Sequence, residues 1–304
     1  MSDSSPTTDP VHGPSGLRLA PPIGVYLTDV VRVCLTRGCP LASVVLFGSA
    51  ATGGYSAGVS DVDLLIVLPD GVSTEDRHSV RDAVSELEAR HGLAKSRSHR
   101  PGALEAFADR VTANVRSFFV CSRGDLLSGD PGRILDIPPA QARFVDRVAI
   151  PSIVASGVTV WGEDLLAQVL LPPIRRLDVV KAFFGLFNQV LFSAFVYPAL
   201  PGATKYAMDA LKRSVHNCYF CYHTRPAPLA EEIAFFQQRH GPSRALTRLM
   251  ALRSEYRSSF GFVLGCLPAL ALLHLRTARD NQFPRDARPC IQATRVAGGD
   301  QTIN

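Results

Sequence analysis

Hydrophobic and polar positions follow two different rhythms along this chain, and the change of rhythm divides it. Residues 22–37 (PIGVYLTDVVRVCLTR) place apolar side chains at helical spacing and stop at Gly38. Residues 43–47 (SVVLF) form a short unbroken apolar run that reads as a buried strand, and 61–68 (DVDLLIVL) read as a second. Pro69-Asp70-Gly71 signals a turn. Ser73 is placed to cap a helix over 75–91, which His91-Gly92 ends. A basic loop over 94–102 and a strand over 111–121 follow, then a linker at 123–138 rich in Gly, Asp and Pro. Beyond it the period is helical, predicting helices over 139–154, 175–197, 204–223, 229–239, 243–257 and 260–278. One strand-like piece, Val158–Leu165, interrupts them. The expected architecture is an α/β N-terminal domain over 21–130, a short mixed sheet with helices, and an all-α C-terminal bundle over 131–280. Residues 1–20, rich in Ser, Pro, Thr and Asp, read as a disordered tail, and 281–304 as a flexible one.

Between the first two strands lies the chemistry. The apolar run ends in Gly48-Ser49, a loop of small residues follows, and the second run opens with Asp61-Val62-Asp63. Side chains alternate along a strand, so Asp61 and Asp63 share one face while Val62 turns to the other and joins the core. Two like charges side by side at the head of an apolar strand repel, and a divalent cation removes that cost. Hard oxygen donors suit Mg²⁺, which is commonly held by one or two carboxylates together with substrate phosphates.

The segment resembles the nucleotidyltransferase superfamily, the polymerase-β-like fold, whose signature is an apolar strand, Gly-Ser, a variable loop, then Asp-x-Asp on the next strand. Gly48, Ser49, Asp61 and Asp63 match it in order, and the wording Ser60-Asp61-Val62-Asp63-Leu64 is similar to the aminoglycoside adenylyltransferases, the small-molecule branch. Trp161-Gly162-Glu163-Asp164-Leu165 resembles a further phrase of those enzymes. The resemblance implies Mg²⁺-dependent transfer of a nucleoside monophosphate, AMP first among them, from a nucleoside triphosphate, with ATP the expected donor, to a hydroxyl of a small molecule. It also implies that Asp61 and Asp63 hold one or two Mg²⁺ ions, that Gly48 and Ser49 lie against the triphosphate, and that a lysine of the helical half, Lys205 in this chain, meets the phosphates. An i,i+4 ion pair with Asp209 on a solvated face is the plainer use of Lys205. The family's third carboxylate belongs on the following strand. There this chain has Asn114, which ligates but cannot act as a base; Glu105, Asp109 and Asp125 are the nearby acids. That departure favours one alternative, a catalytically impaired nucleotide-binding or regulatory module; a nucleotidyltransferase acting on protein or RNA is a separate one.

Composition narrows the field. A 304-residue chain with 46% hydrophobic and 19% charged residues has a sizeable core. A net charge of +5 suits a nucleotide but argues against a dedicated nucleic-acid binder. Seven scattered cysteines read as reduced thiols of a cytoplasmic protein, and the N-terminus carries no secretory pattern. The apolar stretches 179–200 and 260–275 read as buried bundle helices rather than membrane spans. The group His216, Cys218, Cys221 and His223 offers zinc-type ligands, but helical spacing turns the histidines and the cysteines to opposite faces. Trp161, Phe183, Phe184, Phe187, Phe192 and Phe195 are expected to pack in the core.

Overall fold

A computed structural model describes residues 19–53, 55, 61–93, 117–137 and 147–281 of the chain. Its N-terminal half is built on four strands, β1 (Ser43–Phe47), β2 (Asp63–Leu68), β3 (Phe118–Ser122) and β4 (Val158–Gly162), in the spatial order β3-β2-β1-β4. β1 runs antiparallel to β2 and β4, whereas β2 and β3 are parallel, so the sheet is short and mixed as expected. Every residue of β1 is buried, because both faces are covered. On one face Val44, Leu46, Leu64 and Ile66 pack on α1 (Pro21–Thr36) and α2 (Thr74–Arg90). On the other, Val45, Leu65 and Val67 meet α3 (Arg123–Leu127), α4 (Pro131–Ile134) and α5 (Ala149–Ser156) through Leu126, Ile134 and Ile150.

Local chemistry sets the ends of these elements. The helix α2 begins where Ser73 Oγ accepts from the Asp76 N–H at 3.0 Å, the cap read from sequence. Gly38 follows α1 with φ +69°, a turn that ordinary side chains resist.

Three stretches differ from expectation. Residues 123–138, expected as a linker, hold α3 and α4. Ser122 and Asp125 close a capping box on the first, and Asp130 accepts from the N–H groups of Gly132 and Arg133 on the second. The strand β4, in the stretch assigned to the helical half, is the edge of the N-terminal sheet, and Leu165, Leu166 and Val169 after it join that sheet's core. The predicted helix 139–154 is described only from residue 147, and helix α5 starts at Ala149. The basic loop and all but residues 19, 20 and 281 of the tails fall outside the described residues.

The C-terminal half is helical, as predicted: α6 (Arg176–Val196), α7 (Thr204–His223), α8 (Leu229–His240), α9 (Arg244–Ser254) and α10 (Phe260–Asp280). The helix α7 is central and packs against the other four. Ala207, Leu211 and Val215 on it meet Val190, Leu249 and Cys266 from three neighbours. Both α6 and α10 are long and apolar enough to cross a membrane, and each buries one side in this bundle. Phe184 and Phe195 do not pack in the core as expected; they stand 57% and 83% exposed on α6.

Candidate active site

The candidate site forms where β1 ends and β2 begins. The two strands pair so that Phe47, the last residue of β1, lies opposite Asp63, the first of β2. After Phe47 the chain turns sharply at Gly48, with φ +68°, into one turn of 3₁₀ helix over Gly48–Ala50. The Gly48 carbonyl accepts from the N–H groups of Ala51 and Thr52 at 3.2 and 3.1 Å and from Thr52 Oγ1 at 3.1 Å, which holds the turn closed. The turn brings Gly48 directly against Asp63: a methyl group on Gly48 would collide with the Asp63 carboxylate. The Gly-Ser bend and the second aspartate are therefore in contact.

Val62 is 1% exposed and sits in the core on the α1–α2 side. Its burial turns Asp61 and Asp63 to the opposite face, where both are half-buried, as are Gly48 and Ser49. Two carboxylates on one face, one of them seated against a glycine that has no side chain to displace it, are a donor set that fits a hard divalent cation.

The third acidic position is less complete. Asn114, Glu105 and Asp109 lie outside the described residues. Asp125 lies beyond the far end of the sheet, because β3 runs parallel to β2 and Asp125 follows its last residue, Ser122. At about 3.3 Å per residue that is more than roughly 15 Å from the head of β2. There Asp125 caps α3 and pairs with Arg77 at 3.5 Å, so it serves structure. Glu88, buried on α2, accepts from Ser117 Oγ just before β3, but on the side facing Tyr26. Among the described residues no group of three His, Cys, Asp or Glu side chains is arranged to hold a metal.

The helical half contributes a cation that the sequence did not single out. Arg253, at the end of α9, is close enough to Asp61 for the two charges to interact. Burial pushes its guanidinium below the usual range, and the Asp61 carboxylate pulls it back up. The connection after α9 is pinned to the start of α7: the Ser259 N–H donates to Thr204 Oγ1 at 3.0 Å and Tyr256 Oη to the Gly202 carbonyl at 3.3 Å. Lys205 stands at that same start, half-buried, its Nζ 5.0 Å from the Tyr206 ring centre. Asp209 pairs with Lys212 at 3.5 Å and Arg213 at 3.0 Å. No periodic or motif signal marks Arg253 in the sequence, since only the folded chain brings α9 to the head of β2.

Two other sequence features prove structural. Glu163 and Asp164 sit at the opposite end of β1 from Gly48: the Glu163 N–H donates to the Ala42 carbonyl at 3.0 Å, and Asp164 accepts from Thr159 Oγ1 at 3.1 Å. A side chain at Gly162 would strike the Ala42 backbone, which accounts for the glycine there. On α7, His216 Nδ1 lies 2.6 Å from the buried Glu232, Cys218 is in the core, and His223 lies against Tyr219, so helical geometry separates the four zinc-type ligands.

Comparison with known proteins agrees with this geometry. Residues 30–94 match the family model described as a nucleotidyltransferase domain. That stretch holds the C-terminal part of α1, the Gly48 turn, both aspartates and α2. The matched segment marks a nucleotidyltransferase domain over this stretch of the chain. Among solved structures, the chain is similar in fold to the spectinomycin adenyltransferase AAD(9) from Enterococcus faecialis, solved with ATP and spectinomycin. The superposition covers 86% of this chain and 99% of that one, at a TM-score of 0.50 and 11% identity. No curated protein sequence gives a significant match.

Proposed function

We propose that the protein transfers AMP from ATP to a hydroxyl group of a small molecule, with Mg²⁺ held by Asp61 and Asp63. The observation that carries this reading is the contact of Asp63 with Gly48 beneath a half-buried surface shared with Asp61. A side chain larger than hydrogen at position 48 would displace the Asp63 carboxylate from its place beside the bend. The small-molecule acceptor is supported by likeness to an adenyltransferase whose bound acceptor is spectinomycin, and by the absence of a strong net charge.

The residues divide the work by position. Asp61 and Asp63 supply negative oxygens on one face and hold the ion. Bound there, Mg²⁺ supplies charge neutralisation for an in-line displacement at the α-phosphate. Ser49 offers a hydroxyl and a backbone N–H to the outer phosphates. Arg253 brings positive charge toward Asp61, and Lys205, at the start of α7 to which the connection after α9 is fastened, is the second cation assigned to the phosphates. Their joint effect is to orient the donor so that the acceptor hydroxyl meets the α-phosphorus in line with departing pyrophosphate.

The test is pyrophosphate release from each nucleoside triphosphate with Mg²⁺ and a panel of hydroxylated acceptors, aminocyclitols included. Turnover that depends on acceptor and is reduced at least about 1,000-fold by Asp61→Asn supports the proposal. The second reading, a nucleotide-binding module without turnover, is favoured by the lack of a third acidic partner among the described residues. Tight Mg-nucleotide binding with no release for any acceptor would establish it instead. Turnover only with RNA or protein acceptors would assign the alternative substrate class.

A further inference from the structure

Thirteen large apolar side chains are strongly exposed among the described residues, and nine of them belong to just two helices. On α6 they are Leu177, Val180, Phe184, Leu191 and Phe195; on α10 they are Phe260, Leu264, Leu272 and Leu275. On each helix they recur at intervals of three, four, seven or eight, which is one stripe along one face. The helices lie side by side and antiparallel. His274 Nδ1 meets the Val179 carbonyl at 3.1 Å at one end, and the rings of Tyr197 and Phe260 meet at 5.0 Å at the other. Both rest on α7, so both stripes face outward on the same side of the bundle.

We propose that this face is the interface of a homodimer, in which α6 and α10 pack against the same pair of helices in a second copy. A large side chain carries on the order of 200 Å² of surface, so nine of them about half exposed bare roughly 1,000 Å². A monomer's largest apolar patch is usually about 300–600 Å², and a stable interface takes about 800 Å² from each partner. Charge gives the sense of pairing. Arg176 and Lys181 at the start of α6 and Arg276 and Arg279 at the end of α10 cluster at one end of the face. A two-fold axis perpendicular to the helices sets the two basic ends far apart; a parallel arrangement would stack them. Asn188, the polar residue within the α6 stripe, then lies near the axis, where amide can pair with amide across the two copies. The antiparallel arrangement also carries the most exposed of these apolar side chains, Phe195 of the second copy, toward Leu272. Leu272 lies at the mouth of a cavity of about 340 Å³ lined further by Phe236, His240, Ala245 and Pro268. A lipid surface would call for cations along both flanks of the apolar face, and here they gather at one end.

The experiment is sedimentation velocity of the full chain at micromolar concentration, with and without Phe195→Glu and Leu191→Glu together. Twice the chain mass of 32.8 kDa is expected for the wild type, and a dissociation constant raised at least roughly 100-fold for the double variant. A second readout does not depend on those charges. Asn188→Cys in a Cys290→Ser background should form a disulfide-linked dimer with diamide as oxidant. A wild type that stays monomeric, or a dimer in which the thiol introduced by Asn188→Cys does not cross-link, overturns the proposal. So does a monomer that sediments with anionic phospholipid vesicles, which assigns the face to lipid. Dimerisation only after truncation at residue 281 overturns it as well and assigns the face to the C-terminal segment.

Discussion

At position 48 two demands fall on one residue. The backbone needs φ near +68°, and the place of a Cβ is already taken by the Asp63 carboxylate. A left-handed conformation costs an ordinary residue about 1–2 kcal/mol, and the collision adds to it. Gly48→Ala is therefore expected to lower pyrophosphate release at least about 100-fold while shifting the thermal midpoint only by several degrees. Unchanged release would show that the contact with Asp63 is not used. Gly48, Ser49, Asp61 and Asp63 are legible in the sequence because their relation is local: a strand, a bend and period-2 alternation fix which way each points. Arg253 is not legible, because its relation to Asp61 is made by the packing of two halves, and nothing around it in α9 distinguishes it from Arg244 or Arg248.

Among elements, those with strong periodicity and capping residues follow the sequence closely, as with α2 behind Ser73 and α7 at Thr204–His223. Elements defined by distant partners do not. The strand-like character of 158–162 is visible in the sequence, but its pairing to β1 is not encoded near it, and α3 and α4 are too short for a periodic signal. The helix α10 carries a testable consequence of its burial. His274 is 3% exposed, donates through Nδ1 to the Val179 carbonyl, and has a buried Nε2 with no hydrogen-bond partner among the described residues. Burial pushes its pKa down to about 4. In the unfolded chain the value is about 6.5, so between those pH values the unfolded state binds a proton that the folded state refuses. Stability should be unaffected by this group above about pH 6.5, fall as the pH drops through that window, and level off below about pH 4 after losing up to about 3 kcal/mol. Denaturant unfolding from pH 7 to pH 4.5 checks this: His274→Leu should flatten the slope, and an equal slope in both proteins would contradict it.

For the whole molecule the question is how the helical half meets a proposed site whose carboxylates lie at the head of β2 and just before it. Arg253 provides the link, held by a connection that Ser259 and Tyr256 fasten to α7. Arg253→Ala is expected to lower kcat/KM about 10- to 100-fold with little change in thermal midpoint, and Arg253→Lys to recover part of it, in steady-state pyrophosphate assays. The acceptor of the proposed reaction is not legible because no motif in the helical half marks it, and fold alone does not dictate substrate. The central claim, that Asp61 and Asp63 hold a divalent ion together with a nucleotide, is tested most directly by titrating the protein with Mn²⁺ and ATP and following water-proton relaxation. A strong enhancement that appears only with both ligands, and is lost in Asp61→Asn and Asp63→Asn proteins of unchanged fold, is the predicted result; enhancement that survives both substitutions would contradict it.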